Sequence, residues 1–201
     1  RRKNLFHWLL KLLESLFQNQ LKTNLEKSGL KNKNYLIGEN NMLITFDEII
    51  EVTLHHEGGY VHDPKDLGGE TNFGIAKRFY PDVDIKNLTK EEAKEIYKKD
   101  YWDRYKAEKL PEHLRHIHFD MCVNQGYGTA VRILQRACNA KGADIAVDGG
   151  FGPGTQAAID TYKPSIERVR CYRLKHYYDL VNKKPEQERF LYGWYKRAIS
   201  I

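Results

Sequence analysis

Through most of this chain apolar residues recur at helical spacing, and stretches rich in Gly, Asn and Pro separate one recurrence from the next. Residues 5–21 set Leu5, Leu9, Leu12 and Leu16 on one side with Phe6, Leu10, Leu13 and Phe17 beside them, a wide apolar helical face. From about Gly29 to Asn41 the sequence GLKNKNYLIGENN is polar and punctuated as a linker is, which places a domain boundary there. The next helix opens with Thr45 and, three residues on, Glu48, the spacing at which each side chain satisfies the other's free backbone N–H. It runs through Ile49, Ile50, Thr53 and Leu54 until Gly58 stops it. Thr89 and Glu92 repeat that spacing ahead of a segment whose Ala93, Ile96, Tyr97 and Tyr101 form an inward stripe. Further helices are predicted over about 112–123 and 128–140, then a glycine-rich turn over 143–154, a helix capped by Thr155, and two amphipathic helices over 166–181 and 188–199. The predicted class is mainly α, in three parts: an N-terminal amphipathic helix and linker over 1–41, a helical domain over 42–125 and a small helical C-terminal region over 126–201.

Of 201 residues 41% are apolar and 12% aromatic, too many for a disordered chain. No apolar run approaches the roughly 20 residues a membrane-spanning helix needs, so no integral membrane segment is predicted. Lys11 and Glu14 interrupt the apolar part of 5–21 and no small-residue cleavage site follows, which favours a membrane-surface or docking helix over a secretory signal. The start at Arg1 rather than methionine suggests a processed product. Cys122, Cys138 and Cys171 are odd in number and lack CxxC spacing, and so read as buried thiols rather than a disulfide framework or a zinc site. The net charge of +6 is uneven: Lys and Arg outnumber Asp and Glu by 8 to 3 over 1–41 and by 13 to 7 over 126–201, while 42–125 holds 12 against 17. Basic ends suit a polyanion, whether nucleic acid, lipid headgroups or bacterial wall polymer.

The most informative position is Glu57. It lies three residues after Leu54 and seven after Ile50, on the core-facing stripe of its helix, immediately before Gly58 and Gly59. An unpaired carboxylate is among the costliest groups to bury, so the placement asks for a partner or a task. Burial favours the neutral form of a carboxyl group. An acid that keeps its proton until an oxygen takes it is what bond cleavage by general acid catalysis requires. The glycines leave room for a bulky substrate. Cleavage of a sugar acetal also needs a second polar group, ordinarily a carboxylate across the cleft, and Asp63, Asp66 and Thr71 in the following loop are the candidates.

The stretches EGGYVHDPKDLGGETNFGI, YKKDYWDRY and FDMCVNQG resemble glycoside hydrolase family 108, the phage and prophage N-acetylmuramidases, over about residues 42–200. The resemblance implies a lysozyme-like helical fold with Glu57, the acid of EGGY, as catalytic acid. It implies Asp66 and Thr71 as the partners found at similar spacing in phage-type lysozymes, with Asp63 open as the rival second carboxylate. Asn124, Gln125 and Tyr127 fall where the family's sugar groove runs, and Tyr60, Asp63 and Asn72 complete the expected substrate-binding set. AVRILQRACNA, VDGGFGPGTQAAI and FLYGWYKRAI resemble the peptidoglycan-binding region that closes such proteins. The implied activity is that of a lysozyme-type peptidoglycan hydrolase without cofactor or metal, a phage endolysin or a virion- or secretion-associated lysin. Such a protein is made in the bacterial cytoplasm and acts at the cell wall or periplasm. Its partners would be glycan strands and, through 1–41, a membrane surface or a larger assembly.

Other readings are weaker. Glu57 paired with a cation such as Arg104 would be merely structural. The zinc pattern HExxH fails because Tyr60 stands where the second His belongs. His113, His116 and His118 read as surface and groove residues rather than ligands. DPKDLGG lacks the alternating oxygen ligands of a calcium loop, and VDGGFGPG lacks the GKS or GKT ending of a phosphate loop. No nucleic-acid recognition motif accompanies the basic ends. The alternative from another class is a non-catalytic wall-binding component of a phage particle or secretion assembly.

Overall fold

The protein is described by a computed structural model over residues 45–62 and 69–201. The amphipathic helix expected over 5–21 lies outside the described residues, as do Asp63 and Asp66. The described chain is mainly helical, as the apolar spacing predicts. Its elements are α1 (Phe46–Glu57), three short strands β1 (Val61–His62), β2 (Glu70–Asn72) and β3 (Ile75–Ala76), and α2 (Lys90–Tyr97). A π-helical stretch (Lys98–Asp103) continues α2, and a 3-10 turn (Ala107–Lys109) leads to α3 (Glu112–Gln125) and α4 (Tyr127–Asn139). Then come α5 (Pro153–Tyr162), α6 (Ile166–Lys183), a second 3-10 turn (Pro185–Gln187) and α7 (Glu188–Ser200).

Both predicted caps form. Thr45 N donates to Glu48 Oε2 at 3.0 Å and Glu48 N to Thr45 Oγ1 at 3.4 Å. At α2 the same two bonds join Thr89 and Glu92, at 2.8 and 3.3 Å. A cap of this kind is worth ~1 kcal/mol and fixes where each helix begins. Thr155 is different: α5 starts two residues earlier, at Pro153 with Gly152 as its cap, and Thr155 is a buried residue of the first turn. Proline's preset φ and missing donor suit the first helical position, which outcompetes the threonine. Thr155 Oγ1 instead donates to Gly150 O at 3.0 Å, closing the glycine-rich turn onto the helix.

The chain divides into two compact units, one within Met42–His176 and one containing Tyr177–Ile201. Within the first unit α3 packs on α4 and α4 on α5. The core near α1 gathers Ile49, Ile50 and Leu54 with Ile75, Ile85 and Leu88. Phe46, Trp102 and Phe119 meet edge to face in a triangle of ring centroids 5.4–5.9 Å apart. Each such pair adds ~0.5–1.5 kcal/mol beyond its buried area. Outside this core, Glu51 of α1 bridges Lys90 and Lys94 of α2. In the second unit Trp194 stacks on Tyr177 at 5.1 Å and on Phe190 at 5.8 Å.

Polar groups inside the first unit are largely structural. Asp120 of α3 meets Arg173 of α6 at 2.5 Å, both fully buried. Contrary to the reading of the three histidines as surface and groove residues, His118 is 0% exposed. It lies one helical turn from Cys122, whose Sγ is 3.4 Å from its Nε2. Desolvation holds the His118 imidazole down to about 4. Cys122 and Cys138 are buried thiols, as expected, and Cys171 is half-buried. Among the described residues no helix is long and apolar enough to cross a membrane.

Candidate active site

Glu57 is the last residue of α1, and Gly58, with φ of 79°, turns the chain away from it. Glu57 is half-buried, with Oε1 closed to solvent. The three strands form an antiparallel sheet in the order β1-β2-β3, with Val61 and Ala76 flanking Thr71. Asn72 faces Ile75 across a two-residue turn, Phe73 and Gly74, in which both residues have positive φ, 50° and 75°. That pattern lets a tight hairpin follow the natural twist of its strands. For Phe73 it costs on the order of 1 kcal/mol, since its Cβ crowds the backbone in the left-handed region.

The turn is pressed against the carboxyl group of Glu57. A Cβ placed on Gly74 would stand 2.6 Å from Glu57 Oε2 and 2.8 Å from the Tyr97 hydroxyl. Tyr97 donates that hydroxyl to Phe73 O at 2.9 Å and so pins the turn from α2. The final glycine of GGETNFGI thus supplies both a backbone conformation and an absence of bulk beside the candidate acid. Thr71 is half-buried on the middle strand of the same sheet. Tyr60, 41% exposed, donates its hydroxyl to Glu70 Oε1 at 3.0 Å beside it. Asp63 and Asp66 belong by chain position to the β1–β2 connection. Asn72 departs from its expected substrate contact: it is 6% exposed, and its Nδ2 donates to Ile85 O at 3.1 Å and Leu88 O at 3.4 Å. Its amide nitrogen anchors the hairpin to the loop ahead of α2. Arg104, the cation weighed as a partner for Glu57, lies over the Tyr105 ring at 5.7 Å.

A row of tyrosines leads away from the hairpin. The ring of Tyr97 lies 5.4 Å from that of Tyr101, Tyr101 lies 6.1 Å from Tyr105, and Tyr105 stacks on Tyr127 at 4.3 Å with 12° between planes. The first three follow one another at intervals of four residues, and the π-helical stretch is what keeps them aligned. In an α-helix eight residues overshoot two turns by about 80°, whereas the wider π-turn, closed by Arg104 N to Lys99 O at 3.3 Å, holds the phase. Burial first, then Tyr105, Asp100 and Glu57, push the Tyr101 hydroxyl above its ordinary range. The Gly74 turn, which lies against both the Glu57 carboxyl and the Tyr97 hydroxyl, puts the acid at the head of this row. Tyr80 donates to Asp100 Oδ2 at 2.9 Å on its flank. At the far end Asn124 is exposed, Gln125 closes α3, Gly126 breaks the helix with φ of 82°, and Tyr127 opens α4.

The structure therefore sets Glu57 against the turn of the sheet whose middle strand carries Thr71, with Tyr60 bonded to Glu70 on that strand, and the tyrosine row ends at Tyr127, which Asn124 and Gln125 shortly precede in sequence. Sequence reasoning missed Gly74, the hydroxyl of Tyr97 and Tyr105. Signals existed: a Gly ending the run NFG between short apolar positions, and tyrosines spaced by four.

Residues 50–126 match the family model described as Glycosyl hydrolase 108, and residues 129–199 match the one described as Predicted Peptidoglycan domain. Among solved structures 11 chains are similar to this one. One of them, the structure of Brucella abortus SagA, is 29% identical, with a TM-score of 0.60 over 76% of this chain and 88% of that chain. No curated protein matches the chain. The two family matches follow one another along the same polypeptide, and the first contains Glu57, the hairpin and Tyr97, Tyr101 and Tyr105. The chain thus carries a glycosyl hydrolase 108 match followed along the sequence by a peptidoglycan-domain match, and is a glycoside hydrolase acting on peptidoglycan.

Proposed function

We propose that the protein is an N-acetylmuramidase, cleaving the glycan strand at the bond after N-acetylmuramic acid. The observation that carries this is the position of the Glu57 carboxyl, held between the Gly74 turn and Tyr97 at the head of the tyrosine row. Glu57 gives its proton to the glycosidic oxygen as the bond from that oxygen to the anomeric carbon breaks. Asp66 or Asp63, with Thr71, steadies the cationic sugar or orients the water whose hydroxyl completes the product and whose proton replaces the one given up. Tyr60 and the Asn124–Tyr127 corner contact the strand on either side. Residues 126–201 act as the wall-binding region and 42–125 as the hydrolase. Residues 1–41 tether the enzyme to a membrane surface or a larger assembly, as in a phage endolysin or a virion-associated lysin acting at the wall.

Replacing Glu57 by Gln tests the assignment, because it keeps the shape and removes the acid. The expected loss in clearing of purified peptidoglycan is at least about 10²-fold, the scale of a general acid's contribution, with a melting temperature equal to or above that of the parent. Clearing at the parental rate by Glu57→Gln would end the proposal.

A further inference from the structure

The amide of Gln125 stands apart from the other inward-facing amides of the first unit. Gln135, 1% exposed, shows the ordinary arrangement: its Nε2 reaches Asp148 Oδ1 at 2.8 Å and Gly150 O and Thr155 Oγ1 at 3.1 Å, while its Oε1 accepts from Gly149 N at 3.0 Å. Asn139 likewise donates to Ile145 O at 2.8 Å and accepts from Ile145 N at 3.1 Å. In Gln125 both amide atoms are closed to solvent, and neither has a hydrogen-bond partner among the described residues. An orphaned buried donor or acceptor costs ~1–3 kcal/mol. Native structures keep such groups rarely, and where they do the group calls for a reason beyond packing.

Location supplies the reason. Gln125 ends α3 at the break before Tyr127, the last ring of the row that starts beside Glu57. A glycan strand laid along the half-buried rings of Tyr101, Tyr105 and Tyr127 passes this corner. An amide carbonyl is a stronger acceptor than a sugar hydroxyl, and the amide carbonyl that an amino sugar carries is that of its acetamido substituent. We propose that Gln125 is a specificity residue that reads this substituent: its side chain turns out to meet a sugar remote from the scissile bond. There Nε2 donates to the acetyl carbonyl, and Oε1 is released to water. Turning out breaks no protein hydrogen bond, because the unliganded side chain makes none, so pairing with the ligand is opposed only by the loss of packing. This inference rests on the glycan-cleaving reading of the site and adds the chemical feature it selects.

The test compares wild type with Gln125→Met, which keeps the side chain's length without its amide, on glycan strands freed of stem peptides. The strands are used N-acetylated, chemically de-N-acetylated, and re-acetylated as a control. The wild type is expected to favour acetylated strands in kcat/KM. Gln125→Met is expected to reduce that preference about fivefold, the scale of one lost hydrogen bond, with a melting temperature equal or higher because the orphaned atoms are gone. A preference unchanged in Gln125→Met overturns the proposal, as does a wild type that ignores the acetyl group. Should wild type cleave neither polymer, the hydrolase reading fails by itself. Calorimetric binding of the same strands to wild type and Gln125→Met then decides the inference by the same ratio.

Discussion

Gly74→Ala separates the needs of the backbone from those of the candidate acid. The added methyl meets two costs. The first is conformational: at φ of 75° an L side chain loses about 1–2 kcal/mol against the preceding backbone. For a protein of this size that lowers the melting temperature by roughly 2–8 °C. The second is local: the methyl carbon would lie 2.6 Å from Glu57 Oε2 and 2.8 Å from the Tyr97 hydroxyl. Both are the far ends of side chains, so they move rather than strain the main chain, and restoring ordinary contact displaces the carboxyl group by about 0.8 Å. A misplacement on that scale costs on the order of 10²-fold in rate. Gly142→Ala is the matched control, since Gly142 has φ of 103° and its nearest neighbour would be Tyr162 Cε1 at an ordinary 3.7 Å. Both variants should lose similar stability in thermal melts, and only Gly74→Ala should lose activity in the turbidity assay on purified peptidoglycan. Full activity in Gly74→Ala at a matched folded fraction, or an equal loss in Gly142→Ala, would refute the geometry assigned to Glu57.

Two further expectations concern the interior of the first unit. Burial holds His118 at about 4 against 6.5 in the open, so between those values the unfolded chain binds the more protons. The stability from neutral His118 is intact above about pH 6.5 and falls by about 3 kcal/mol as pH drops through 4; urea midpoints should show that slope in the parent and lose it in His118→Leu. Asp120→Asn removes the carboxylate facing Arg173 and should cost about 3–5 kcal/mol, whereas an Asp120→Leu, Arg173→Leu double variant should recover most of it by the same measurement.

The helical layout was legible because its signals are local. Thr45 with Glu48 and Thr89 with Glu92 announce their helices within four residues, and the stripe through Ile50 and Leu54 carries Glu57 to the end of α1. The sheet was not legible, since strands of two or three residues are too short to show alternation. Asn72 illustrates what pattern cannot give. Its neighbours in sequence suggested a contact with substrate, yet its partners are carbonyls 13 and 16 residues away, brought near only by the fold. His118 was misjudged for a related reason, because one polar residue on an apolar helix face reads as surface until a second helix covers it.

The π-helical stretch from Lys98 to Asp103 makes the wall of the site a matter of counting. Deleting one residue there would return the segment to regular winding and leave the preceding cap untouched. Five residues of α-helix turn through about the same angle as six of π-helix, so the side chains that follow keep their direction and only those inside the stretch, Trp102 among them, change place. Among relatives, a gap of one position at this point would thus mark a local change inside the stretch while the helices on either side stay in register.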